Sequence, residues 1–116
     1  MQRVRLTTQN GASKDYTEMA KRKSGHPGEV LAEDFMAPLG LSANALAKRL
    51  GVPANRVSAI VGGKRDVSPD TALRLERAFG SSAEFWLNLQ ARYDLETARD
   101  GADKKELAAI RMIEPA

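Results

Sequence analysis

The chain has 116 residues, with 18 lysines and arginines against 15 aspartates and glutamates and no cysteine. This length points to one domain, and the missing cysteines exclude a disulfide framework or a thiolate metal site. No apolar run approaches the roughly 18 residues of a membrane span and no signal peptide follows the start, so the sequence predicts a soluble cytoplasmic protein.

Positive charge is concentrated in the first part of the chain. Residues 1–25 hold six lysines and arginines against two acids, whereas residues 66–116 hold seven against ten. Between Phe35 and Arg65 there is no acidic residue, although the segment contains Lys48, Arg49, Arg56 and Lys64. This asymmetry favours a polyanionic partner on one side of the protein, while a solvated basic surface explains it equally well.

Residues 1–25 are polar and basic and show no helical period, which predicts a flexible N-terminal arm. We expect the positive arm to add to the affinity for a polyanion such as DNA. The alternative is that its four apolar side chains fold onto a protein partner; these are Val4, Leu6, Tyr16 and Met19. A first helix is predicted from Pro27, and Pro38 and Gly40 should end it.

The segment from Ser42 to Gly63 predicts two short helices at 43–50 and 54–61. Ser42 has the character of an N-cap, and Gly51 can adopt the left-handed conformation that ends a helix. Pro53 should restart the chain as a helix near the first turn of the second segment. The three-residue turn is typical of a helix-turn-helix motif. The shared apolar seam would contain Leu46, Leu50, Val57 and Ile60, with the small Ala47 where the two helices cross.

Two further helices follow, which gives an all-α domain of five helices over residues 26–99. Ser68 and Pro69 begin the fourth helix, and Gly80 ends it. Ser81 and Glu84 form a predicted capping box for the last helix. The tail, residues 100–116, is charged and then apolar, and it could add a helical turn or a short strand.

The outward face of the second hairpin helix is composed of small and hydrogen-bonding residues without an acid. Such a face suits the edges of bases in the major groove of DNA. The residues predicted there are Ala54, Asn55, Arg56, Ser58 and Ala59, with Asn55 and Arg56 governing sequence choice. The residues predicted to contact phosphates are Ser42, Asn44, Lys48, Lys64 and Arg65.

Several stretches resemble the HigA (host-inhibition-of-growth) antitoxins of the Cro/C1-repressor-like helix-turn-helix group. They are "HPGE" at 26–29, "LGLS" at 39–42, "SPDTALRLERAFG" at 68–80 and "SAEFWLNLQARYDLE" at 82–96. The resemblance implies a homodimer that represses its own operon and neutralises an mRNA-cleaving toxin. A solitary repressor without a toxin is the alternative. Because such toxins tend to be basic, the acidic C-terminal half should hold the toxin, through helices 4 and 5 or helix 1.

The last helix carries more apolar side chains than one core stripe needs. The excess predicts a second buried surface, and tryptophan and tyrosine are enriched in interfaces. We predict a homodimer interface of Trp86, Leu89, Tyr93 and Leu95, against the alternative of a monomer covered by its tail. Two recognition helices about a two-fold axis would read a palindromic operator.

Catalysis and metal binding are not expected. His26 is the sole histidine, too few for a metal site, and should cap the first helix or contact a neighbour. Ser58 has no histidine beside it on its helix to act as a base. The sequence therefore predicts neither an enzyme nor a cofactor. A small nuclease is not expected because the sequence lacks the metal-binding cluster that such an enzyme would need. A hairpin that bound only a protein would not need a face without acidic residues.

Overall fold

The computed structural model describes residues 25–115, which form six helices; residues 1–24 of the predicted arm lie outside the described residues. Helix α1 has three parts, an α-helix at Pro27–Val30, a π-helical segment at Leu31–Met36 and a 3-10 turn at Ala37–Leu39. The others are α2 (Ala43–Leu50), α3 (Ala54–Val61), α4 (Pro69–Phe79), α5 (Ala83–Gly101) and α6 (Lys104–Ala109). The region is helical without strands, as predicted, and α6 resolves the open question about the tail.

The predicted helix boundaries agree with the observed caps. Ser42 and Ser68 accept hydrogen bonds from the amides three residues ahead, at 3.1 and 3.2 Å. Gly51 and Gly80 end α2 and α4 in the left-handed region, with φ of 72° and 83°. Pro53 is the N-cap of α3, directly before the helix that the sequence predicts from residue 54.

The predicted capping box at the start of α5 is wrong by one residue. The N-cap is Ser82, whose hydroxyl accepts a hydrogen bond from the Phe85 amide at 3.0 Å. Ser81 instead accepts a hydrogen bond from the Trp86 indole at 2.9 Å. Because the buried indole N–H needs an acceptor, the Ser81 hydroxyl binds it and does not cap the helix.

One apolar core holds α1 to α5 together. Phe35 lies beside three aromatic rings, with its centroid 4.8 Å from Trp86, 5.2 Å from Phe79 and 6.1 Å from Phe85. The buried apolar residues are Leu31, Met36, Leu46, Ala47, Leu50, Val57, Ile60, Val67, Ala72, Leu75, Ala83 and Trp86. The whole predicted hairpin seam is among them. No helix within residues 25–115 is long and apolar enough to cross a membrane.

The start of α1 lies directly on the end of α3. A methyl group added to Gly28 would lie 1.8 Å from the Ile60 carbonyl oxygen, so the contact requires glycine. The buried His26 caps α1 as predicted, its Nδ1 accepting a hydrogen bond from the Gly28 amide at 2.9 Å. Its ring and that of Tyr93 of α5 form a T-shaped pair, with their centroids 5.1 Å apart. These contacts hold the start of α1 against the end of α3 and against α5.

Candidate nucleic-acid interface

Helices α2 and α3 form the predicted helix-turn-helix hairpin. Ala47 is buried at the crossing, where its small side chain allows the helices to approach. Gly51 turns the chain, and the Val52 amide donates to the Ala47 carbonyl at 3.0 Å. Because Val57 and Ile60 face the core, the other side of α3 is left for solvent or a ligand.

The outward face of α3 has the composition that base recognition requires. Ala54, Asn55 and Ser58 are exposed, and Ala59 is half-buried. The Ser58 hydroxyl lies 3.4 Å from the Asn55 carbonyl oxygen of its own helix, as a weak donor. The Asn55 side chain has no hydrogen-bond partner within residues 25–115, so its donor and acceptor are both available to a base edge.

The predicted phosphate contacts surround this face. Asn44 and Lys48 are exposed one turn apart on α2, while the Ser42 hydroxyl is already used as the helix cap. Lys64 and Arg65 are exposed in the loop that follows α3. The Lys64 amide donates to the Ala59 carbonyl at 2.8 Å, so this loop folds back over the end of the helix.

A buried glutamine anchors that basic loop to α5. The Val67 amide donates to Gln90 Oε1 at 2.8 Å, and Gln90 Nε2 donates to Asp94 Oδ1 at 2.9 Å. Gln90 is not among the residues predicted from the sequence. Its signal was a polar residue four positions after Trp86, on the stripe of α5 that faces the core. The glutamine satisfies a loop amide that would otherwise be buried without a partner.

Arg56 differs from the prediction. Its guanidinium does not extend from α3 as a base-reading group but lies along the protein, where Nη1 donates to Asp70 Oδ2 of α4 at 2.8 Å. The side chain is 24% exposed. Its Nε atom is buried and lacks an acceptor in the described part of the chain, so Asp70 alone holds the guanidinium in place.

Asp70 also binds Arg74, and together they connect three helices. Arg74 Nε donates to the same Oδ2 atom at 2.9 Å, and Arg74 Nη1 donates to the Leu50 carbonyl at the end of α2, at 2.8 Å. The hydrogen bonds from Arg74 and then Arg56 lower the pKa of Asp70, so its carboxylate stays charged at neutral pH.

The acid-free segment identified in the sequence thus meets an acid that comes from outside it. Asp70 is 14 positions beyond Arg56, and only the packing of α4 brings them together. The spacing of Asp70 and Arg74 at i and i+4 was a visible sign of an ion pair, but it gave no sign of the third partner.

The predicted dimer residues have different environments. Trp86 is fully buried inside its own chain, so its assignment to an interface was wrong: the indole fills the core beneath Phe35. Leu89 and Tyr93 are half-buried, and Leu95 is 51% exposed. Further exposed apolar side chains follow in the tail; they are Leu107, Ile110, Met112 and Ile113.

The hairpin lies within a stretch that matches a known protein family. The Helix-turn-helix family matches residues 33–86. Virulence-associated protein I of Dichelobacter nodosus is 49% identical over 85 residues, which cover 73% of this chain and 77% of that protein.

Two solved structures are similar to this chain in both fold and sequence. An addiction module antidote protein of the HigA family from Coxiella burnetii is 46% identical with a TM-score of 0.74, over 79% of this chain and all of the other. Pseudomonas aeruginosa antitoxin HigA, solved with the higBA promoter, is 42% identical with a TM-score of 0.73, over 76% of this chain and 96% of the other.

Proposed function

Because the chain belongs to the HigA-type antitoxin family of helix-turn-helix proteins, we propose that it represses its own operon as a homodimer and neutralises an mRNA-cleaving toxin. One observation carries the DNA-binding part. The outward face of α3 presents the Asn55 carboxamide, which has no partner within residues 25–115, among small side chains, and Lys48 and Lys64 flank it. A face of this kind fits a major groove, with the lysines at the phosphates.

The toxin part rests on the family and on charge. Residues 66–116 carry seven basic and ten acidic residues, which suits a basic toxin better than the positive surface around α3. We therefore assign the toxin to α1, α4 or α5 and the operator to α2 and α3.

Two measurements test the proposed function. The protein should co-purify with the product of the gene beside its own, and it should retard the DNA upstream of that gene in a mobility-shift assay. DNA binding without a co-purifying toxin would favour a solitary repressor. Failure to bind the upstream DNA better than a random duplex would refute autorepression.

We expect operator affinity to fall steeply with salt. A dimer that uses Lys48, Lys64 and Arg65 from each protomer neutralises about six phosphates, each adding roughly −0.9 to the log–log slope. Between about 50 and 200 mM salt the affinity should therefore fall on the order of a thousandfold, as measured by fluorescence anisotropy. Lys64→Ala should flatten the slope and weaken operator and random DNA alike.

The matched control for Lys64→Ala is Lys105→Ala, which removes an exposed lysine from α6. That variant should keep the slope of the parent protein. An operator affinity that hardly changed with salt would show that the contacts of Lys48, Lys64 and Arg65 with DNA are not electrostatic. Equal effects of the two substitutions would show that Lys64 has no specific contact with a phosphate.

The homodimer is proposed to form through the exposed side of α5 with Leu95. Fully burying an exposed leucine contributes about 1.5–3 kcal/mol, so the 51% exposed Leu95 contributes about half of this in each protomer, and a glutamate buried there adds a desolvation cost in both. Leu95→Glu should therefore raise the dimer dissociation constant by roughly a hundredfold or more, measured by analytical ultracentrifugation. Leu73→Glu on α4, where the leucine is 56% exposed, is the control and should remain dimeric. Equal dissociation of the two variants would remove Leu95 from the interface.

A further inference from the structure

Asp70 brings a negative charge to the border of the proposed DNA face. Its Oδ2 atom accepts from Arg56 Nη1 at 2.8 Å and from Arg74 Nε at 2.9 Å, while the side chain remains 56% exposed. Arg56 belongs to the first turn of α3, directly after Asn55. A carboxylate at this position repels phosphates, and so it opposes the binding of any DNA.

The same carboxylate decides where the Arg56 guanidinium lies. Arg56 has no other hydrogen-bond acceptor in the described part of the chain, and its Nε atom is buried without a partner. Arg74 has a second anchor at the Leu50 carbonyl and would stay in place without Asp70. Removing the carboxylate would therefore release Arg56 and leave the helices joined by Arg74.

We propose that Asp70 is a positioning residue for sequence discrimination, which holds Arg56 along α4 and away from DNA phosphates. Asn55 and the small side chains of α3 then select the operator. The Arg56 guanidinium, which would bind the phosphates of every sequence equally, does not contact DNA. Non-specific binding is electrostatic, so neutralising Arg56 weakens it without weakening a base contact. This inference rests on the proposed DNA-binding function.

The test is Asp70→Asn in the full chain, with affinity for the upstream DNA and for a random duplex measured across a salt series. We expect random-DNA affinity to rise at least about threefold, because one repulsive charge is lost and one cation is gained in each protomer. The random-DNA salt slope should steepen by roughly 0.9 per protomer as Arg56 engages a phosphate. The ratio of operator to random affinity should fall at least about threefold, since a mobile Arg56 helps the loose complex more than the specific one.

Asp66→Asn is the matched control. Asp66 is also exposed, and its Oδ1 atom lies 3.8 Å from His26 Nε2, while it forms no ion pair with an arginine within residues 25–115. This variant loses the same charge without releasing Arg56, so it should raise both affinities alike and leave the slope unchanged. Equal behaviour of the two variants would overturn the proposal, because Asp70 would then act by its charge alone.

Arg56→Ala completes a double-mutant cycle with Asp70→Asn. If Asp70 acts through Arg56, adding Asp70→Asn to Arg56→Ala should change neither the affinity ratio nor the slope further. A full additional effect in the double variant would overturn the proposal, as would a loss of both affinities in Asp70→Asn together with a lowered melting temperature. If the parent protein does not discriminate the upstream DNA, the proposed function fails, while the slope on random DNA still tests the release of Arg56.

Discussion

Gly28→Ala is expected to lower the free energy of unfolding by about 3 kcal/mol or more, as measured by urea denaturation followed by circular dichroism. The added methyl group would lie 1.8 Å from the Ile60 carbonyl oxygen and 2.7 Å from its carbon. The obstacle is the backbone of α3, which cannot rotate aside as a side chain would. Overpacking of this kind typically costs 1–3 kcal/mol and occasionally more, out of a total stability of about 5–15 kcal/mol.

Gly101→Ala provides the control for Gly28→Ala. Gly101 is the last residue of α5, and nothing lies within 4 Å of a methyl group placed there. Alanine is the better helix former, so this variant should be neutral or more stable by up to about 1 kcal/mol. If Gly28→Ala unfolded at the same urea concentration as the parent protein, the close contact between α1 and α3 would be incorrect.

Asn55→Ala is expected to cost on the order of 1–3 kcal/mol of operator binding for each half-site, with little change on random DNA. The Asn55 carboxamide can form two hydrogen bonds to one base edge, and a dimer uses it twice. The combined loss on a palindrome should exceed about 2 kcal/mol, or roughly thirtyfold. Competition anisotropy with operator and random duplexes measures both quantities.

Asn44→Ala removes the same side chain from α2 and serves as its control. Asn44 is exposed beside Lys48, where a phosphate contact is proposed. This substitution should weaken the two DNAs by the same modest factor. If Asn55→Ala also weakened both DNAs equally, Asn55 would contact the backbone rather than a base.

The parts of the fold that depend on neighbouring residues could be predicted from the sequence. The hydroxyls of Ser42 and Ser68 cap amides three residues away, and Gly51 and Gly80 supply left-handed backbone within one turn of each helix. These signals are local, so they are visible in the order of the residues. The apolar seam of the hairpin was equally predictable, because burial follows the helical period.

The errors arose where distant segments compete for one side chain. Nothing near Arg56 in the sequence indicates that α4 brings Asp70 to it, and an outward guanidinium was the natural expectation. Trp86 belongs to a group of apolar side chains larger than one core stripe needs, which suggested an interface, but it packs against Phe35 of α1 in the core. In both cases the deciding partner lies more than ten residues away, beyond the reach of capping and periodicity rules.

The hydrogen bonds of the Gln90 amide limit the spacing of operator half-sites that a dimer could bind. Both of its polar groups are used, one on the basic loop at Val67 and one on Asp94, and the side chain is buried. The loop that carries Lys64 is therefore rigidly joined to α5, the helix proposed to form the dimer. Such a dimer would hold its two DNA-binding surfaces at a fixed separation. An operator with one base pair inserted between its half-sites would lose affinity outright, because neither basic loop could stretch or swing to follow the displaced phosphates.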